Sequence, residues 1–318
     1  MMSLKKSSRG LLVLLGFLFL IAIPFKILAQ EEFQFAHFMR NKLFFNPAYA
    51  GSTRFMEINL LHRTQWQGVD GAPQHSLVSL QTPLNYSRVG LGLTVSNNKY
   101  GLENDNAIFL SYAFHLDIGD RSKLSMGLQA GITNKQVRWS EKIIHDANDP
   151  VFPDTDISAL APNFGLGFYY YSPVFYLGFS APYLLTNSQP TSESFAENFN
   201  FDGKNIIFYL NSGFNLPISS QIDMEPSVLL KSSASSTAQL SAHVNFAHEN
   251  GLTFGAGFHS ESEWAVLLGY QITPKLGFSY GYGHSLAKTK APGVSNHEFI
   301  LNYNLSLRKN QITSPRYF

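Results

Sequence analysis

The chain has 318 residues, 14% charged and 14% aromatic, with 27 Phe, 15 Tyr, a formal charge of +1 and no cysteine. Charged residues make up roughly 25% of ordinary soluble proteins, so the composition suits a protein facing lipid on one side and water on the other; membrane-helix bundles are far more apolar. Without cysteine there is no disulfide, thiolate metal site or cysteine nucleophile, and the charge gives no reason to expect a nucleic-acid partner.

Residues 1–29 read as a secretory leader. Lys5, Lys6 and Arg9 begin it, Gly10 to Ile23 is its apolar stretch, Pro24 breaks that stretch, and Ala29 marks the expected cleavage. An uncleaved anchor is the alternative. Removal takes four cations and no acid, turning the charge from +1 to −3.

Residues 30–54 are not strand-like. Phe33, Phe35, Phe38, Met39, Phe44 and Phe45 crowd ahead of Asn46-Pro47-Ala48-Tyr49-Ala50-Gly51-Ser52, a run rich in turn formers. Such a segment suits a lumen plug, a periplasmic cap, a docking element or a stretch packed on a wall.

From 55 to 307 the side chains alternate, as a strand with one apolar and one polar face requires. Met56, Ile58 and Leu60 oppose Glu57 and Asn59; Leu124, Met126 and Leu128 oppose Ser125, Gly127 and Gln129. In the last strand, Phe299, Leu301, Tyr303, Leu305 and Leu307 oppose Glu298, Ile300, Asn302, Asn304 and Ser306, with Ile300 the one apolar intruder. That strand is as long as a tilted crossing needs. About fourteen such strands predict an all-β fold, a transmembrane antiparallel β-barrel preceded by a non-strand segment. Lipid tolerates no unpaired strand edge, so the last strand is expected to pair with the one near Phe55–Arg63.

Connections alternate in length, as in outer-membrane barrels with short periplasmic turns and longer surface loops. Short links fall at Pro83–Ser87, Ile118–Arg121, Ser172, Pro217–Ser220, His248–Asn250 and Thr273–Pro274. Long ones fall at Thr64–Gln74, Asn97–Asp105, Asn134–Ala161, Pro182–Gly203 and Ser285–Asn296, while Ser232–Ser236 and Ser260–Ser262 are short where long is expected. Inward glycines such as Gly90, Gly127, Gly165 and Gly167 are expected where the wall bends. Residues 308–318, with Pro315, read as a periplasmic tail.

Chemistry is sparse. No Gly-x-Ser-x-Gly elbow occurs, and no serine–histidine arrangement stands out, so an enzyme is not expected and no cofactor is implied. His297-Glu298 has the makings of a general-base pair but reads better as a solvated or interfacial polar pair. The loop His145-Asp146-Ala147-Asn148-Asp149 with Asp154 and Asp156 could collect oxygens of the kind calcium takes, without the spacing or final glutamate of an EF-hand; solvated loop acids are the alternative. Trp66 at the first strand's end suits the aromatic girdle. Arg63 at the lumen rim has the donor fork to hold loop carbonyls.

Phe33-x-Phe35, Phe44-Phe45-Asn46-Pro47-Ala48-Tyr49-Ala50-Gly51-Ser52, Arg63-x-Gln65-Trp66, Gly71-Ala72-Pro73 and Asn296-His297-Glu298-Phe299-Ile300-Leu301-x-Tyr303 together resemble the PorP/SprF family. So do Gly165 to Tyr170 and Glu225-Pro226-Ser227. Tyr280-Gly281-Tyr282-Gly283 departs from it, where the family often has an aspartate after tyrosine. The resemblance implies an outer-membrane component of the type IX secretion system of Bacteroidota, tied to gliding motility. It also implies a secreted adhesin-like partner engaged through its C-terminal domain and, for some members, a periplasmic peptidoglycan-associated protein. Asn46, Pro47, Tyr49, Gly51, Arg63, Gln65, Trp66, His297 and Glu298 become candidate partner-binding or structural residues. A diffusion pore and a periplasmic anchor remain alternatives.

Overall fold

The computed structural model describes residues 35–84, 88–141, 156–187, 199–200, 202–260, 263–285 and 295–305. The leader, the tail and most of the acidic loop near 146–156 lie outside them. The wall strands are β1 (Met56–Thr64), β2 (Gln74–Pro83), β3 (Val89–Tyr100), β4 (Glu103–Asp117), β5 (Lys123–Val137), β6 (Ile157–Tyr171) and β7 (Phe175–Ala181). They continue as β8 (Phe208–Phe214), β9 (Ile222–Ser232), β10 (Gln239–His248), β11 (Leu252–His259), β12 (Glu263–Gln271), β13 (Leu276–Ser285) and β14 (Ser295–Leu305).

Each strand runs antiparallel to its sequence neighbour, and β1 pairs with β14 from Met56↔Leu305 to Thr64↔His297, closing the ring. Closure removes the sheet edges that hydrocarbon would penalise. Leu216–Pro217 prolongs β8 against Met224 and Asp223, and Thr186–Asn187 forms a separate small ladder with Phe199–Asn200.

The burial is inside out relative to a soluble sandwich. Leu110 is 65% exposed and Leu128 63%, whereas Ser125 and Glu298 are 0% exposed. Within the lipid belt the outward residues are mostly apolar, and most of the inward ones are Ser, Asn, Gln, His or charged.

One expected loop is nearly all strand, and another is shortened at both ends. β3 and β4 run past Asn97 and Asp105 to a tight turn at Gly101–Leu102, where Gly101 has φ +58°. β5 and β6 continue to Val137 and from Ile157, so the connection starts four residues later than Asn134 and strand resumes four before Ala161. The alternation fades there because a strand clear of lipid has water on both faces, and Asn, Lys and Gln serve either side.

Candidate functional site

The lumen is occupied. Residues from Phe35 to Gly51 touch inward side chains of strands around the ring. α1 (Lys42–Phe45) and a 3₁₀ turn, Pro47–Tyr49, give this segment its shape. Its aromatic run forms a core with the wall. Leu61 is in register with Leu77 on β2 and with Ile300 on β14. Phe35, Phe38 and Phe45 pack on this three-strand apolar patch together with Tyr209 and Leu229. Ile300, anomalous as a lumen residue, is thus the floor for the inner segment. Phe35 stands edge-on to Phe44 and Phe45 at 5.2 and 5.7 Å, a favoured ring geometry.

The start of the segment is held by charge. Glu298 accepts from the Ala36 and His37 backbone N–H groups at 2.9 and 2.8 Å and from His37 Nδ1 at 2.7 Å. Arg63 donates to Glu298 at 3.3 Å and to both oxygens of Glu263 at 3.0 and 3.2 Å. Asn296 donates to Glu263 at 2.7 Å and accepts from the Trp66 backbone N–H at 3.0 Å. A cation this deep persists only with paired and hydrogen-bonded partners. Beside it, His243 and His259 stand 3.3 Å apart through their Nε2 atoms, and Phe38 packs edge-on to His243.

The end of the segment is held by fit. Asn46 caps the 3₁₀ turn by accepting from the Ala48 N–H at 2.9 Å, and its Nδ2 donates to the Phe168 carbonyl at 2.9 Å. Ser180 donates to the Phe45 carbonyl, and the Gly51 N–H to Gln81. A Cβ on Gly90 would overlap the Ala50 carbonyl, one on Gly127 the Ala48 backbone, and one on Gly167 the Asn46 side chain. The wall glycines expected at bends thus include a seat for the inner segment. Gly165 differs, making room for the Pro182 carbonyl. That carbonyl is bonded by Gln129, and Leu184 and Leu185 donate to Asn163, so the chain after β7 also turns inward.

In the inner segment, burial lowers Lys42 to about 8, partly offset by Glu57 and Glu225, and its ammonium lies 3.7 Å from the Tyr176 ring centre. Burial, reinforced by the Glu57 charge, raises Tyr49 well above its ordinary value.

Asn46, Pro47, Tyr49 and Gly51 come together on the glycine seat. Tyr49 stacks edge-on to Tyr169 at 5.4 Å. Arg63 and Glu298 meet near the opposite, loop-bearing end. Arg63 binds carboxylates instead of loop carbonyls, because two inward acids lie within its reach. His297 and Glu298 are not a pair, and Glu298 is not solvated: adjacent strand residues face opposite ways. His297 lies on the outer face, 2.6 Å from the Tyr280 hydroxyl. Trp66 sits in the loop beyond β1 with φ +50°, while Gln65 and Gln67 donate to the Pro73 and Ser295 carbonyls, extending the seam between β1 and its neighbours. The sequence did not single out His37 or Glu263, and Asn296 entered only as part of the closing motif. Glu263 did carry a signal, as the one charged residue of its strand, whose other members up to Tyr270 are apolar, aromatic or small. Asp156, the described member of the acidic loop, accepts from Ser140 at 2.9 and 3.0 Å.

This is a closed outer-membrane β-barrel with a filled interior. The family model of the type IX secretion system membrane protein PorP/SprF matches residues 27–303, and the chain belongs to that family. Barrel and family point to a membrane protein of a secretion system rather than to an enzyme, one that works with other components of that system. No curated protein matches the chain. Among solved structures, the CymD monoaromatic hydrocarbon channel superposes with a TM-score of 0.50 at 14% identity, covering 85% of this chain and 93% of its own. The Pseudomonas putida toluene transporter TodX gives 0.48 at 11%, covering 83% and 93%. Acinetobacter baumannii Omp33 gives 0.47 at 8%, covering 79% and 98%. At these identities the likeness is one of fold.

Proposed function

We propose that this protein retains or helps export a secreted adhesin-like protein at the cell surface, engaging that partner's C-terminal domain, in a role linked to gliding motility. Residues 1–29 serve as its export leader. The observation that supports this reading is the combination of an occupied lumen with a raised platform. β3 to β6 continue as polar hairpins past the apolar belt on the long-loop side, offering a stiff surface outside the membrane. The test is to replace 138–156 and 188–201 with short turns. The barrel should still insert while the secreted partner is no longer held at the surface. Unchanged retention would sink the reading.

A periplasmic anchor is the second reading, favoured by the opposite mouth. There a cavity of about 790 Å³ is lined by Arg54, Arg88, Arg121 and Lys123 against Asp117 and Asp120. That excess of cations suits an acidic segment of a periplasmic, peptidoglycan-associated protein. Arg54→Glu with Arg121→Glu should abolish co-purification of such a partner. Asn46 and Tyr49 are poor test positions because both lie within the barrel.

A further inference from the structure

The strand register of β1 to β5 lays two outward rows side by side. Leu60, Val78, Val95, Ile108 and Ile132 are aligned across five strands, all 40–44% exposed. Two residues nearer the loop-bearing end, His62, Ser76, Asn97, Asn106 and Asn134 are aligned in the same way. The first row is branched and apolar. The second is polar and mostly short, so a groove of about 420 Å³ opens along the join, with Leu160 on its far side.

The polar row is organised. Asn97 Nδ2 donates to the side-chain oxygens of Asn104 and Asn106 at 2.7 and 2.9 Å, and Ser158 donates to Asn134 at 2.9 Å. The Nδ2 groups of Asn104 and Asn106 then have no partner among the described residues and are available as outward donors. Lys99 is exposed on the same face, two residues beyond Asn97. A run of carboxamides is too costly to lie in hydrocarbon, so this row marks the upper border of the lipid belt. The groove lies just below that border, its walls almost wholly apolar, with the exposed Asn106 side chain at its rim.

We propose that the groove binds one lipopolysaccharide molecule of the outer leaflet. An acyl chain lies on Val78, Val95, Ile108 and Ile132. Sugar hydroxyls and carbonyls accept from the asparagine amides, and a phosphate meets Lys99. A phospholipid would fill the apolar part but offers no sugar to the carboxamide row. The side assignment follows from the loops, since long connections lie at this end of the strands.

The test is to purify the full chain from outer membranes in mild detergent and measure lipopolysaccharide retained per protein by native mass spectrometry. Asn104→Leu with Asn106→Leu removes the two free amide donors; Val95→Trp fills the groove; Leu268→Trp, outward on β12, is the control. Loss of two hydrogen-bonding side chains is expected to cut retention about tenfold, with Val95→Trp matching it and Leu268→Trp unchanged. All three should keep the heat-modifiable gel mobility of a folded barrel. Equal lipopolysaccharide in wild type and both groove variants, or phospholipid alone on the wild type, would overturn the proposal.

Discussion

At its start the inner segment is gripped by opposite charges, with Glu298 holding the Ala36 and His37 amides and Arg63 holding Glu298. At its end, around Asn46 to Gly51, it is gripped by absent side chains, because Gly90, Gly127 and Gly167 let backbone lie against wall. The two holds should fail differently. A buried charge that loses its partner stays costly wherever the segment goes. A seat that gains a methyl can be relieved by a small shift.

The largest effect is expected at the charged hold. Glu298→Ala leaves the Arg63 guanidinium with one acid and strips two backbone N–H groups of their acceptor. Losing one partner of a buried pair costs about 3–5 kcal/mol, read as a fall in the urea midpoint of the detergent-solubilised barrel. The chain has no native cysteine, so single reporters are clean. In Glu298→Ala, a cysteine at Ala36 should label faster with a maleimide while one at Ala48 should not. Equal acceleration at both would show a single cooperative unit and dissolve the contrast.

Next comes the seat. Gly127→Val forces a side chain into the Ala48 backbone, and overpacking of this kind costs about 1–3 kcal/mol. Labelling should now rise at Ala48 and not at Ala36. Asn46→Ala removes a cap and one side-chain bond, for about 1 kcal/mol by the same urea titration. Gly203→Ala, where an added Cβ meets nothing within 4 Å, should leave the midpoint unmoved.

The wall was legible in the sequence because lipid imposes a strict period of two, and seam partners follow from closure alone. Strand ends were less so: beyond the lipid belt, Asn97 to Lys99 and Asn134 to Gln136 lose the apolar row that marks a strand. The charged hold was half legible. Arg63 and Glu298 stood out as singular residues, but nothing local says that His37, 26 positions before Arg63, shares the same carboxylate, because that contact is made across the lumen. The seat was not legible, since a glycine that bends a wall and a glycine that admits a neighbouring backbone look alike until the neighbour is placed.

The account turns on an interior that is filled by the chain's own residues. Single-channel recording in a planar bilayer tests this most directly. The intact protein should be silent, and a chain lacking residues 35–51 should conduct steadily. Sustained conductance from the intact protein, undiminished relative to the truncated chain, would contradict it and favour a diffusion pore.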